Sequence, residues 1–416
     1  MLCRWTRSQD FQDQVVVCCV RRVEVVGLYT MHPPMREAIS RLPGSKIREV
    51  ANAAMGRDDV LAFWFGESDE VTPEPVRSAA ALSLQRGETF YSHNLGLPEL
   101  RQALADYCTS LHGRVDVDRI AVTSSGVNAL MLAMQLLAGA GDEVAAVVPL
   151  WPNLTAQAEI MGARVRRIAL RPVQGRWTLD LDSLREAVTP ATRVLLINAP
   201  NNPTGWTLTR EEQLAILAHC RRSGTWIVAD EVYERLHFGT GLAAPSFLDI
   251  ATDDDRLVVA HSFSKSFLMT GWRLGWLVLP RSHLDAIGKL IEFNTSCAPV
   301  FVQRGGLAAL QIAADFVPAL VERLRGCRDR LIPQLAALPG VEVANPSGGM
   351  YAFFRIAGQD DSLAFAKRLV GNHGLGLAPG VAFGDEGEGW LRWCFASRDP
   401  GRLEQGLDRL RNALRL

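Results

Sequence analysis

Between about residue 119 and residue 280 the chain repeats one pattern, a short apolar run closed by turn residues and followed by a longer stretch of helical periodicity. The runs are RIAVTSS (Arg119 to Ser125), EVAAVVP (Glu143 to Pro149), RVRRIAL (Arg164 to Leu170), RVLLINAP (Arg193 to Pro200), TWIVADE (Thr225 to Glu231), RLVVAHSFSK (Arg256 to Lys265) and GWLVLP (Gly275 to Pro280). Each has the length and residue type of a buried strand. Between most of them lie stretches such as NALMLAMQLLAGA (Asn128 to Ala140) and REEQLAILAHCRRSG (Arg210 to Gly224), with apolar residues at helical spacing. Parallel neighbours need a crossover connection, so this alternation predicts an α/β fold with a mostly parallel central sheet covered by helices on both faces. Ligands of such sheets sit outside the carboxyl ends of the strands. Ser125, Asn202, Asp230 and Lys265 all fall at or just beyond those ends.

At 416 residues the chain exceeds one ordinary core, which predicts a second unit. After about residue 315 the texture changes to a long charged helical stretch (Phe316 to Leu338), then to the strand-like VEVANPSGGMYAFFRI (Val341 to Ile356) and WLRWCFAS (Trp390 to Ser397). We therefore expect a large domain over 76–315 and a smaller α/β domain built from 31–75 and 316–416. Residues 1–30 are expected to be an extension outside the core. Their run VVVCCV (Val15 to Val20) follows Asp10 and Asp13 and precedes Arg21 and Arg22, and so fails as a secretory signal.

A net charge of −1 gives no electrostatic case for a nucleic-acid partner. The chain has no apolar run of the roughly 18 residues that span a membrane. Its eight cysteines are scattered without zinc-site spacing, as expected of reduced thiols in a cytoplasmic protein that needs no metal.

The chemistry concentrates in three segments. SFSKSFLMTGWRLGW (Ser262 to Trp276) sets Lys265 eight residues before Arg273 in apolar surroundings. A lysine amine titrates at about 10.4 in water, and an apolar pocket lowers that value until the amine can condense with a carbonyl. An arginine fork and small hydroxyls such as Ser262 and Ser264 suit a phosphate. NAPNNPTGW (Asn198 to Trp206) is a turn-rich loop directly after an apolar strand, rigidified by Pro200 and Pro203. ADEVYERLHF (Ala229 to Phe238) ends the next strand with Asp230 and Tyr233 three residues apart. A buried carboxylate there is costly unless it meets a cation, and the protonated ring nitrogen of pyridoxal 5'-phosphate (PLP) would be one.

In this order NNPTG, DEVY, SFSKSFLMTGWRLG and RWCFAS resemble the class I/II aminotransferases among the fold type I PLP enzymes, over nearly the whole chain after His32. The resemblance implies roles. Lys265 is similar to the lysine that holds PLP as a Schiff base and then shuttles the substrate α-proton. Asp230 matches the aspartate on the pyridine nitrogen, and Asn202 and Tyr233 match the pair on the phenolic oxygen. Ser262 and Arg273 match phosphate ligands, joined by backbone N–H groups of Ser125, Gly126 and Val127 where TSSGVNAL opens a helix. Trp151, in PLWPN, matches the aromatic that stacks on the ring. Arg392 matches the arginine that grips the substrate α-carboxylate, and Gly66, in FGESD, a backbone contact to it. Tyr91, in FYSHNLGLPELRQAL, matches a tyrosine that reaches the neighbouring subunit's phosphate, which implies a homodimer.

The implied reaction is a ping-pong transfer of an amino group from an L-amino acid to a 2-oxo acid. Relatives that act on dicarboxylates carry an arginine in the loop matching IEFNTSCAP (Ile291 to Pro299), where this chain has Glu292. A neutral, aromatic or aliphatic donor is therefore expected, with 2-oxoglutarate or pyruvate as acceptor. PLP-dependent lyases and cyclases share the same lysine, aspartate and arginine and remain alternatives. So, more remotely, does a PLP-binding effector domain of a regulator, although no basic recognition helix precedes the matching part.

Overall fold

The computed structural model describes residues 35–414, and the expected extension over residues 1–30 lies outside them. Seven strands form the central sheet: β1 (Ile120–Thr123), β2 (Glu143–Val148), β3 (Arg164–Ala169), β4 (Thr192–Asn198), β5 (Trp226–Asp230), β6 (Leu257–Ser262) and β7 (Gly275–Val278). Their order across the sheet is β1-β7-β6-β5-β4-β2-β3. All neighbours run parallel except β7, which runs against both β1 and β6.

Residues of β5 and β6 are buried throughout, as helices covering both faces require. Ala229, Ile227 and Val259 pack into one core, while Val228, Val258 and Ala260 pack into another on the opposite side of the sheet. The helix Gly126–Leu137, with Leu130, Ala133 and Met134 buried, covers the second face. One expectation fails in part: RVRRIAL is a strand but not a buried one. It forms the sheet edge, and Arg164, Arg166 and Arg167 stand exposed on it. Charge on an edge strand blocks pairing with another chain, which accounts for so basic a sequence in a sheet.

The second sheet is antiparallel, in the order β8-β9-β11-β10, with β8 (Val341–Val343), β9 (Tyr351–Ile356), β10 (Ala378–Pro379) and β11 (Trp390–Cys394). The stretch VEVANPSGGMYAFFRI is thus two strands with a turn between them at Gly348 and Gly349. Stacking of Phe353 on Trp390, with centroids 5.2 Å apart, ties β9 to β11. The long helix Ala313–Ala336 packs Leu320, Leu324, Leu331 and Leu335 into the core and lies against β8 and the last helix, Pro400–Leu414. Leu61 and Ala62 pair in parallel with Leu375 and Gly376, so the segment that precedes the large sheet joins the C-terminal elements.

Candidate active site

Register brings the polar strand ends together. Asn198 lies opposite Asp230, Asp230 opposite Ala260, and Gly275 between Thr123 and Ser262. Strand order reverses beside β4, whose other neighbour is β2, and such a switch point opens a crevice. A cavity of about 500 Å³ opens there. It is lined by every expected site residue except Ser125 and Tyr91.

Lys265 Nζ donates to the carbonyl oxygen of Gly66 at 2.5 Å and lies 5.7 Å from the centroid of the Tyr233 ring. Burial lowers its pKa to about 8, helped by the positive charges of Arg392 and Arg273. Asp230, at the end of β5, is 2% exposed, and burial pushes its carboxyl up to about 7. Its one hydrogen bond among the described residues comes from the Val232 N–H at 3.3 Å. Asn198 holds the neighbouring loop: its Nδ2 donates to the Asp230 carbonyl at 3.0 Å, and its Oδ1 accepts the Asn202 N–H at 2.8 Å.

Around the end of β6, the Ser262 hydroxyl donates to Ser264 Oγ at 2.9 Å and accepts the Ser264 N–H at 3.1 Å. Gly126 faces this pair so closely that a Cβ there would come within 2.9 Å of Ser262 Cβ. Arg273 adopts a left-handed conformation (φ 56°), and its guanidinium donates to the Thr270 carbonyl at 2.6 Å. Ser125 stands behind the helix start, where its hydroxyl oxygen accepts the Asn128 N–H at 3.1 Å and so caps the helix. Tyr91 does not line this cavity and is 87% exposed.

Arg392 is carried on β11 between Phe353 of β9 and Ala378 of β10. It is 2% exposed and lies between two aromatic rings, 4.5 Å from the Tyr351 centroid and 4.9 Å from that of Phe383. One guanidinium nitrogen donates to Asn202 Oδ1 at 2.9 Å, another to the Trp64 carbonyl, and Nε is buried without an acceptor among the described residues. Tyr351, which belongs to none of the sequence motifs, shares a hydrogen bond with Tyr233 Oη at 2.6 Å. It also explains Gly66, since a Cβ at that position would lie 2.1 Å from Tyr351 Oη. The signal for it is present in GGMYAFF, a tyrosine opening a buried strand after two glycines.

Beneath the cavity a buried ionic cluster braces the turn that carries Asp230 and Tyr233. His112 donates to Glu234 and to Asp249, both at 2.9 Å, and Ser246 donates to Glu231 at 2.5 Å. Burial opposes the His112 charge, yet the hydrogen bonds to Asp249 and Glu234 prevail and lift its pKa to about 10.

These groups fit PLP. Asp230 is a buried acid short of a cation, Lys265 is an amine easily made neutral, and Ser262, Gly126 and Arg273 form a cradle that extra atoms on the glycine would fill. Glu292 is exposed and does not line this cavity.

Residues 60–410 match the family model described as Aminotransferase class I and II. The chain is 32% identical to an aspartate aminotransferase of Pyrococcus horikoshii over 382 residues, which covers 91% of this chain and 96% of the relative. It is 33% identical to an arginine–pyruvate transaminase of Pseudomonas aeruginosa over 350 residues, 83% of this chain and 87% of that one. The solved structure of an aspartate aminotransferase from Thermotoga maritima superposes with a TM-score of 0.85 at 31% identity, covering 92% of this chain and 100% of that one.

Proposed function

The chain belongs to the class I and II aminotransferase family, a family of fold type I PLP enzymes, and on that premise we propose how its own residues divide the work of transamination. The reading is a ping-pong transfer from a neutral, aromatic or aliphatic L-amino acid to a 2-oxo acid in the cytoplasm. The observation that carries it is the meeting, in one cavity, of a buried acid, a lysine with a lowered pKa and an immobilised arginine.

When bound, PLP supplies an aldehyde that condenses with amines and a ring that withdraws electrons from the substrate α-carbon. Lys265 Nζ would hold the cofactor at rest and, once released, would take the α-proton from the substrate and return it to C4' of the cofactor. Its lowered pKa suits both tasks, because a neutral amine is available near physiological pH. Asp230 would keep the ring nitrogen protonated, and that cation would in turn settle the buried carboxylate. Tyr233 and Asn202 would address the phenolic oxygen; Ser262, Arg273 and the N–H groups of Ser125, Gly126 and Val127 would take the phosphate. Arg392 would receive the α-carboxylate, with the Gly66 backbone beside it, and Trp151 would cover the ring. The apolar wall formed by Ile47, Trp64, Phe65 and Leu130 supports an uncharged donor side chain.

Replacing Lys265→Ala removes the one lysine amine among the described residues that line the cavity. Turnover of every amino acid and the visible absorbance of the lysine-bound cofactor should both vanish. Residual catalysis above the free-cofactor rate would sink the assignment.

A further inference from the structure

Two phenols meet in the cavity, and only one of them has an assigned task. Tyr233 and Tyr351 both line it, are 3% and 0% exposed, and join their hydroxyls at 2.6 Å. A phenol has one proton to give and can receive another on its oxygen. Whichever tyrosine accepts in this bond therefore keeps its own proton for a third group. The charged and titratable groups that act on the pair are Arg392, Cys394, Glu67 and Asp230. Each is engaged elsewhere: Arg392 with Asn202 and the Trp64 carbonyl, the Cys394 thiol with the Glu67 carbonyl, the Glu67 carboxylate with Thr270, and Asp230 with the Val232 N–H. Among the described residues the two hydroxyls have only each other.

Tyr351 is fixed on three sides. It opens β9 opposite Cys394 of β11, its hydroxyl lies so near the Gly66 backbone that no side chain fits there, and its ring meets the Tyr233 ring edge-on with centroids 5.7 Å apart. The Arg392 guanidinium covers its face at 4.5 Å. A permanent cation over the ring draws electron density from the phenol and makes its O–H the better donor of the two. Lys265 stands farther from the Tyr233 ring, at 5.7 Å, and burial makes its charge easy to lose.

We propose that Tyr351 is a positioning residue: it donates its proton to Tyr233 Oη and so commits the Tyr233 proton to the phenolic oxygen of PLP. This rests on the reading of Tyr233 given above. Hydrogen bonds in series polarise one another, so Tyr351 strengthens the bond that Tyr233 makes. The series also joins the two ends of the site, since it begins under the arginine assigned to the substrate carboxylate and finishes on the cofactor.

The lysine-bound cofactor changes its visible absorbance when its nitrogen loses a proton, and a hydrogen bond that stabilises the phenolic oxygen as an anion eases that loss. A pH titration of the PLP-loaded protein thus reads the bond from Tyr233, which a residue that only fills space does not move. Tyr351→Phe keeps the ring under Arg392 and removes the donor alone. The spectral midpoint should rise by about half to one pH unit, the worth of one modest hydrogen bond, and by less than in Tyr233→Phe. Adding Tyr351→Phe to Tyr233→Phe should raise it no further, because the second change then has nothing to act through. Replacing Tyr351 by 3-fluorotyrosine, a stronger donor of nearly the same shape, should lower it. A midpoint that stays in place in Tyr351→Phe, that falls because Tyr233 had been the donor, or that rises equally with and without Tyr233 overturns the relay alone. A protein that takes up no PLP, or whose midpoint ignores Tyr233→Phe, overturns the reading of the site and the relay with it.

Discussion

Asp230 is an unfavourable residue for the folded apoprotein. Burial raises its pKa from 3.8 to about 7, so the folded state binds a proton more tightly than the unfolded one. Stability contributed by this group therefore falls as pH rises between those two values, and the full penalty is present above pH 7. At about 1.4 kcal/mol for each tenfold change in proton affinity, the penalty is a few kcal/mol. Asp230→Asn should raise the Tm of the apoprotein at pH 8 and change it little near pH 4, while transamination is lost. Equal gains at both pH values would show that ionisation is not the cause. Lys265 titrates oppositely: its amine becomes neutral as pH rises through about 8, so apoprotein should capture PLP about tenfold faster for each pH unit up to that point and level off above it. Stopped-flow absorbance after mixing with PLP reads this directly. At this scale the motifs named Lys265, Asp230 and Arg392, because each sits in a short run whose own residue spacing is local. Tyr351 escaped because its partner is remote: Tyr233 lies 118 positions before it.

Elements divide into those fixed by local chemistry and those fixed by neighbours. The helix expected from Arg210 ends at Ser223, with Gly224 in the left-handed conformation that closes it. Its start is a capping box, in which Thr209 accepts the Glu212 N–H and Glu212 accepts the Thr209 N–H. This helix does not line the cavity. Thr209→Ala should accordingly cost about 1 kcal/mol in urea unfolding and leave KM unaltered. A change in KM without a stability loss would contradict the separation of scaffold from site. Such signals lie within four residues and were legible. The edge position of β3 and the reversed direction of β7 were not, since RVRRIAL and GWLVLP satisfy strand periodicity wherever they are placed. Sheet order, which brings Asn198, Asp230 and Ser262 side by side, is decided by packing across distant segments.

For the whole molecule, the exposed aromatics matter most. Phe90, Tyr91 and Phe293 are 82%, 87% and 89% exposed, a costly display unless another surface covers them. We propose that a second copy does so and that Tyr91 thereby reaches the neighbouring phosphate site. Sedimentation should show a dimer, Phe293→Asp should shift it toward monomer with loss of PLP, and Tyr91→Phe should keep the dimer but release PLP faster on dialysis. A monomer that retains PLP would defeat this. The pairing of Leu61 and Ala62 with Leu375 and Gly376 supports our assignment of the two chain ends to one smaller domain, which brings Trp64 and Gly66 to Arg392 and Lys265. Held between the Tyr351 and Phe383 rings, Arg392 cannot follow a misplaced substrate. If a substrate is anchored there by its carboxylate, as proposed, with its amine toward the cofactor, it would turn its α-hydrogen to Lys265 in only one of its two mirror-image forms. On the proposed reading of Arg392 as the carboxylate anchor, the stacked guanidinium would set the handedness of what the cavity accepts.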